Sequence, residues 1–492
     1  MNLPLELVDL LVFVAYLALV VALGFWVGKG SKDLSSYLLG GRDLPWWGIL
    51  GSIVATETST VTFLSVPGWT FAEGGNMTFM QLTIGYIIGR FLVTIVLLPG
   101  YFQGKVFSAY ELLEQRFGKA TQQVASVIFL IARNFGDALR LFLTALVLQA
   151  MFDLSLGVSI VVIGILTIAY TLVGGMKAVI WNDCLQLIVY LAGGVMILLV
   201  ITGRMPNGFE SVVDFGKETG RFQLFDFAFD YTKANTLWAG LVGGVFLTLG
   251  THGVDQMLVQ RYLSAKSQRD ASAALIASGF IVALQFAFFM FLGIALAAFY
   301  QHFAEAGQAV VEMETDRILP HFIVNELPAG TGLIGFVLAG VFAAAMSTLS
   351  SSLNSSAAVV VTDLLPQEDQ TAASSLRWSQ ILTACFGIVQ MIIAYLASFT
   401  TESVIGEVLG IAGMTVGLLL GLFALSKLNP HCGEIGAIAG LVFSACLLLV
   451  IKLLLPIFDI KVAWPWFALI GSSSTVIVAS IFNSIVPSKS HA

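Results

Sequence analysis

Apolar residues run along this chain in stretches of roughly 20 or more, the length an α-helix needs to cross a bilayer at 1.5 Å per residue. Polar turns separate them, and the stretches fall at 5–28, 45–70, 75–103, 119–152, 155–175, 177–203, 236–263, 270–301, 330–362, 374–400, 403–427, 433–455 and 462–487. The pattern predicts an all-α membrane protein of about 13 transmembrane helices in a single transmembrane domain over 1–492. Several stretches exceed one span, so tilted or interrupted helices are expected. No small-residue cleavage motif follows the first stretch, which therefore reads as a retained helix rather than a signal peptide.

Two stretches carry hydroxyls where a lipid-facing helix would not: "GSIVATETSTVTFLSVPGW" in the second and "GVFAAAMSTLSSSLNSS" in the ninth. An interrupted backbone at mid-bilayer is tolerated only where protein or a water-filled cavity satisfies the freed N–H and C=O groups. Paired interruptions of this kind point to a transport site. In the ninth stretch Ser347, Thr348, Ser350, Ser351, Ser352, Ser355 and Ser356 crowd into ten residues. Some of them can bond to the carbonyl four residues back. Their density favours a hard-cation site, because a dehydrated cation needs several oxygens and an unwound backbone can supply the rest.

Composition sharpens the class. Hydrophobic residues make up 58% of the chain and charged residues 11%, with a net charge of −7 and a mean hydropathy of +0.91. A soluble fold and a disordered chain are both excluded, and no basic run points to nucleic acid. Cys184, Cys385, Cys432 and Cys446 show no paired spacing, and the five histidines form no ligand pair, so neither a disulfide framework nor a metalloenzyme is expected. With the N-terminus outside, thirteen Lys and Arg fall on the inner side, Arg261 among them, against seven on the outer side. This favours a cytoplasmic C-terminus. Compact loops and a minimal tail suit a bacterial inner membrane.

The charges left inside the stretches are functional candidates by default. Asp183 lies about 9 Å along its helix from Lys177, deep enough to need a cation: a coupling ion, with an interhelical ion pair or a water-filled inner vestibule as the structural alternative. Arg133, Asp137 and Arg140 share one face at i, i+4 and i+7; one arginine can be neutralised internally, and the other is either structural or an anion-binding fork. Arg90 is expected to snorkel towards the inner face in a structural role. Glu57 sits inside the interruption of the second stretch and Glu407 near the start of the eleventh; each can pair with an arginine, respond to protons or contact a solute.

At "LLGGRDLPWW", "ATETSTVTFLSVP", "YTLVGGMKAVIWNDCLQ", "VQRYLSAK" and "AAAMSTLSSSLNS" the chain resembles the solute:sodium symporter family, which includes bacterial sodium/galactose and sodium/sialic acid symporters and animal glucose, monocarboxylate and multivitamin cotransporters. The resemblance spans about residues 36 to 428. It implies a LeuT-like core of two inverted five-helix repeats. In this chain 5–28 would be an extra N-terminal helix, 45–203 the first repeat, 236–455 the second repeat with the twelfth helix, and 462–487 the last helix. It also implies a first sodium site from the carbonyls of Ala55, Thr58 and Ala344 with the hydroxyls of Ser347 and Thr348. A second sodium site would combine Asp183, Ser350 and Ser351 with the backbone near Ser347. Two coupling ions per cycle are therefore expected, with no other cofactor.

By the same resemblance Ser59, Thr60, Thr62, Phe79, Thr83, Thr248 and Thr251 would line the solute cavity. Thr62, Thr248 and Val282 replace the polar set of the galactose transporters, and Arg140 lies one turn from Gly136, where the sialic acid transporters carry an arginine. The expected substrate is therefore a small polar organic solute, leaning to a carboxylate-bearing one (sialate, uronate or monocarboxylate). A neutral sugar or polyol is the alternative. Sodium, the solute and the lipid bilayer are the expected partners, with no obligate protein partner. A membrane solute sensor of the same fold is the competing class; it needs an output domain, and the chain stops soon after the last stretch. No nucleophile, base and oxyanion set converges, so an enzyme is not expected.

Overall fold

The structure is a computed structural model, described here for residues 6–28, 33–104, 106–152, 154–366, 371–399 and 404–485. Its elements are helices, and no strand occurs among the described residues. In chain order they are α1 (Leu7–Gly28), α2 (Leu34–Leu39), α3 (Trp46–Glu57), α4 (Val66–Phe71), α5 (Met80–Val96), α6 (Leu98–Gly104), α7 (Glu111–Phe117), α8 (Lys119–Phe152), α9 (Leu156–Arg204) and α10 (Phe209–Glu218). There follow α11 (Gly244–Gly253), α12 (Gln256–Leu263), α13 (Gln268–His302), α14 (Ala304–Gln308), α15 (Thr315–Asn325), α16 (Leu333–Val359), α17 (Ala372–Ala397), α18 (Val404–Leu428), α19 (Glu434–Leu449) and α20 (Trp466–Ile485).

Among the described residues nine helices are long and apolar enough to cross a membrane, and a tenth crossing arises if the bent pair α3 and α4 is counted as one. Three expected spans fall outside that count for physical reasons. Helix α8 has the length but carries Arg133, Asp137 and Arg140. The fifth stretch forms only a short apolar helix, Leu156–Leu172. The seventh is cut between α11 and α12, where Val254 leaves helical geometry and the Asp255 side chain caps α12 by accepting from Met257 N. The fifth and sixth stretches run on through Gly175, which holds φ +56° and ψ −158°. A side chain there would press on Tyr37 O at 2.6 Å, so glycine is required for both conformation and space.

Helix α16 is the axis of the molecule. It packs against α9, α1, α8, α17 and α3, and all of its residues from Ser347 to Val359 are buried. A helix buried on every side must hold its polar residues against protein rather than lipid. Helices α5 and α11 cross closely enough that a Cβ on Gly85 would lie 2.8 Å from Gly244 Cα; small residues at a crossing let two backbones touch. The lipid-facing surface is correspondingly apolar, with Trp26, Ile95, Ile188, Leu284 and Ile477 all exposed.

Candidate functional site: a broken helix facing a serine-rich one

The sequence Thr56-Glu57-Thr58-Ser59-Thr60 is rich in β-branched and hydroxyl side chains that compete with helical hydrogen bonds, and the helix ends there. Thr58 adopts φ −86°, ψ 81°, and the two halves meet at a bend of 60°. Ser59 N donates to Glu57 O at 3.1 Å, and Thr62 N donates to Ser59 O at 2.9 Å. Both amides thereby leave the carbonyls four residues back, those of Ala55 and Thr58. These two oxygens are released from the helical ladder where α16 approaches: Thr348 Oγ1 donates to Thr56 O at 3.1 Å and lies 3.5 Å from Ala344 O. The structure therefore sets Thr348, with Ala344 O one turn back, against the Ala55–Thr58 segment, while the Ser347 hydroxyl turns to Asp183. Gln285 of α13 braces the break by accepting from Thr58 Oγ1 at 2.7 Å.

Asp183 lies next to this junction, fully buried. Its Oδ1 accepts from Ser347 Oγ at 2.7 Å, and its Oδ2 accepts from Ser52 Oγ at 2.5 Å and from the Arg261 guanidinium at 3.1 Å. Arg261 also donates to Thr56 and Ser351, to Ser52 Oγ at 2.8 Å and to Met257 O at 2.5 Å. The inner-loop placement of Arg261 is thus corrected. It is completely buried and supplies the countercharge that Asp183 needs. Ser351 reaches the same guanidinium, whereas the Ser350 hydroxyl turns to Ser347 O at 3.2 Å and lies close to Tyr170.

A cavity of about 160 Å³ opens beside the break, and Glu57, Ser59, Thr62, Trp69, Arg133, Arg140, Thr248, Thr251, His252 and Thr415 are among the residues that line it. Of the residues expected around the solute, Ser59, Thr62, Arg140, Thr248 and Thr251 line this cavity. Thr60, Phe79 and Thr83 do not line it. The Thr60 hydroxyl pairs with Thr144 Oγ1 of α8 at 2.9 Å. Phe79 stands behind the wall, with its ring 4.6 Å from Trp69 and 5.1 Å from Phe286. Thr83 bonds back to Met80 O at 2.7 Å, the usual resting place of a helical hydroxyl.

Charges around the cavity balance. Arg140 pairs with Asp137, and Arg133 pairs with Asp255 at the α11–α12 break. Asp255, a carboxylate the spacing on α8 did not reveal, thus neutralises the second arginine. Arg90 does not snorkel: it is fully buried and pairs with Glu57, with His252 Nε2 at 3.1 Å from its guanidinium and 3.3 Å from Glu57. His252 is held in turn by the Tyr262 hydroxyl at 2.7 Å. Arg140 keeps an unpartnered Nε beside the cavity. The side chain of Glu407 lies outside the described residues.

This arrangement matches known proteins over nearly its whole length. The model of the sodium:solute symporter family matches residues 37–443. The human sodium-coupled monocarboxylate transporter 1 is 30% identical over 440 residues, covering 88% of this chain and 71% of that protein. The sodium/sialic acid symporter of Aliivibrio fischeri is 28% identical over 445 residues, covering 89% and 86%. A solved structure of a Na+-coupled sialic acid symporter in a substrate-bound outward-open state superposes with a TM-score of 0.88 at 27% identity, over 98% of both chains. A nucleobase-cation-symport-1 family transporter, at a TM-score of 0.51 and 14% identity, shares the fold alone. The relatives are transporters, not enzymes, and with its bundle of apolar spans around a broken helix the chain belongs to the sodium:solute symporter family.

Proposed function

We propose that the protein imports a small carboxylate-bearing solute, such as a monocarboxylate, uronate or sialate, together with sodium. The observation that carries the reading is the release of the Ala55 and Thr58 carbonyls on either side of Thr56 O, which Thr348 contacts, an oxygen-rich setting suited to a small hard cation. In this reading sodium binds there and ties α3 and α4 to α16. Rocking of the broken helices against the α8 and α16 scaffold then opens the cavity to each side in turn. The thirteen-span, inverted-repeat architecture, an N-terminus outside and a cytoplasmic C-terminus in a bacterial inner membrane complete the proposal.

Arg140 is the residue assigned to the carboxylate. Its side chain lines the cavity and its buried Nε has no partner, Ser59, Thr62, Thr248 and Thr251 line the same cavity with hydroxyl-bearing side chains, and the names of the relatives above are those of monocarboxylate and sialic acid transporters. A neutral sugar or polyol is the second reading, favoured by the pairing of Arg140 with Asp137, which leaves the cavity without net positive charge. A second sodium is assigned to Asp183, Ser347, Ser350 and Ser351, where it would share the carboxylate with Arg261. Two ions moving inward contribute about 2.3 kcal/mol each per 100 mV; a carboxylate's own charge offsets one of them and leaves an accumulation of roughly fiftyfold, against on the order of a thousandfold for a neutral solute. Uptake into proteoliposomes under imposed sodium or proton gradients, with sialate, uronates, lactate, hexoses and polyols as competitors, tests the whole reading. Inhibition by neutral sugars alone defeats the carboxylate assignment, and uptake driven by protons without sodium defeats the sodium site.

A further inference from the structure

Near Asp183, outside the lining of the solute cavity, five buried polar atoms form no hydrogen bond of ordinary geometry: both amide atoms of Asn182, both of Gln186, and the Tyr16 hydroxyl; the Tyr16 and Tyr170 hydroxyls nonetheless come within pairing reach of the Gln186 amide. Asn182 and Gln186 are fully buried, and Tyr16 is 7% exposed. The two amides are four residues apart on α9, so they lie one above the other on one helix face. Tyr16 of α1 and Tyr170 of α9 both approach the Gln186 amide. Tyr170 also nears Ser350 while donating to Met346 O at 2.7 Å. Polar groups thus continue from the ion site through Ser350, Tyr170 and Gln186 to Tyr16. On the α1 side Gly24 keeps the space free of a side chain: a Cβ there would stand 3.3 Å from Asn182 Nδ2 and 3.2 Å from Tyr170 Cβ.

Even with the phenols reaching Gln186, two buried carboxamides keep donors and acceptors unmet, Asn182 Nδ2 and Oδ1 among them, which is costly unless something satisfies them. The balance of donors and acceptors selects what that is. A cation would satisfy Asn182 Oδ1, Gln186 Oε1 and the phenol oxygen and would leave both NH2 groups unmet. Water donates and accepts, so it serves all five atoms. We infer that Tyr16, Asn182, Gln186 and Tyr170 enclose a chamber of ordered water that forms the outer hydration of the Asp183 site, reaching it through Ser350. The water has a role in ion binding because Gln186, three residues from Asp183 on the same helix, lies on the neighbouring turn. The second part of this inference rests on the sodium reading above; the presence of water does not.

Radiolytic hydroxyl-radical labelling of the full chain in nanodiscs, read by mass spectrometry, tests for water directly, because radicals form where water is. Tyr16 and Tyr170 should be labelled although lipid and protein surround them. The apolar pair Asn182→Leu with Gln186→Met should cut that labelling several-fold, and Gly24→Ala, which crowds the chamber while keeping its polar groups, should cut it too. In proteoliposomes the apolar pair should raise the sodium concentration for half-maximal uptake several-fold, with no loss of thermal stability in sodium-free buffer. Unlabelled tyrosines in the unsubstituted protein, or labelling unchanged in both variants, would overturn the chamber. Unchanged sodium activation in the dried variant would overturn its role in ion binding. Absence of sodium activation in the unsubstituted protein would instead defeat the symport reading, and the labelling would then decide the chamber alone.

Discussion

Replacing Arg261 by methionine removes the guanidinium that faces Asp183 while keeping a long side chain. The two charged groups are 3.1 Å apart and both are fully buried. Coulomb's law at that distance, with an effective dielectric of about 20, gives about 5 kcal/mol, in line with the roughly 3–5 kcal/mol lost when one member of a buried pair is deleted. The carboxylate would retain Ser52 and Ser347 as donors, but these carry no countercharge. Arg261→Met should therefore lower thermal stability sharply in sodium-free buffer. Sodium should protect this variant more than the unsubstituted protein, because the ion then supplies the missing charge; at 100 times Kd a ligand contributes about 2.7 kcal/mol. Adding Asp183→Asn should recover most of the loss and abolish the extra protection. The control is Arg204→Met, whose partner Glu326 is 2.9 Å away but whose own side chain is 41% exposed, so the expected cost is about 1 kcal/mol or less. Melting of purified protein in detergent, with and without sodium, measures all of these. A loss for Arg261→Met no larger than the control, or a double substitution that adds to the loss instead of relieving it, would refute the reasoning.

Other outcomes follow from the same geometry. Ser347→Ala should weaken sodium activation more than it weakens solute binding at saturating sodium, and equal losses in uptake kinetics would argue against a ligand role. Charge and solute flux recorded together should give two sodium ions per solute, and a ratio of one would rule out the second ion. Arg140→Ala should abolish competition by carboxylates while sparing any competition by neutral hexoses; retained carboxylate binding in a thermal-shift titration would remove Arg140 from the site. Gly175→Ala should cost about 1–3 kcal/mol, because its positive φ and the nearby Tyr37 carbonyl both oppose a side chain. An unchanged melting temperature would show that the turn relaxes.

Membrane class, the approximate spans, the interruption near Glu57 and the hydroxyl cluster of α16 were legible in the sequence, because each depends on consecutive residues. A span is a run of apolar side chains of bilayer length, and a helix breaks where hydroxyl and β-branched residues gather. Motif resemblance pointed to Ala55, Thr58, Ala344, Ser347 and Thr348, and helix packing sets Thr348 against the broken segment at Thr56 O. The pairing of charges was not. Arg261 meets Asp183 across 78 positions, Arg133 meets Asp255 across 122, and Arg90 meets His252 across 162. Neither the inner-face placement of Arg90 and Arg261 nor the apparent excess of arginine on α8 survived helix packing. Thr60 turned from the cavity for the same reason, finding Thr144 on a neighbouring helix. Coulomb energies and hydrogen bonds depend on distances between side chains of different helices, and the spacing of residues along one helix holds no information about which face of another it will meet.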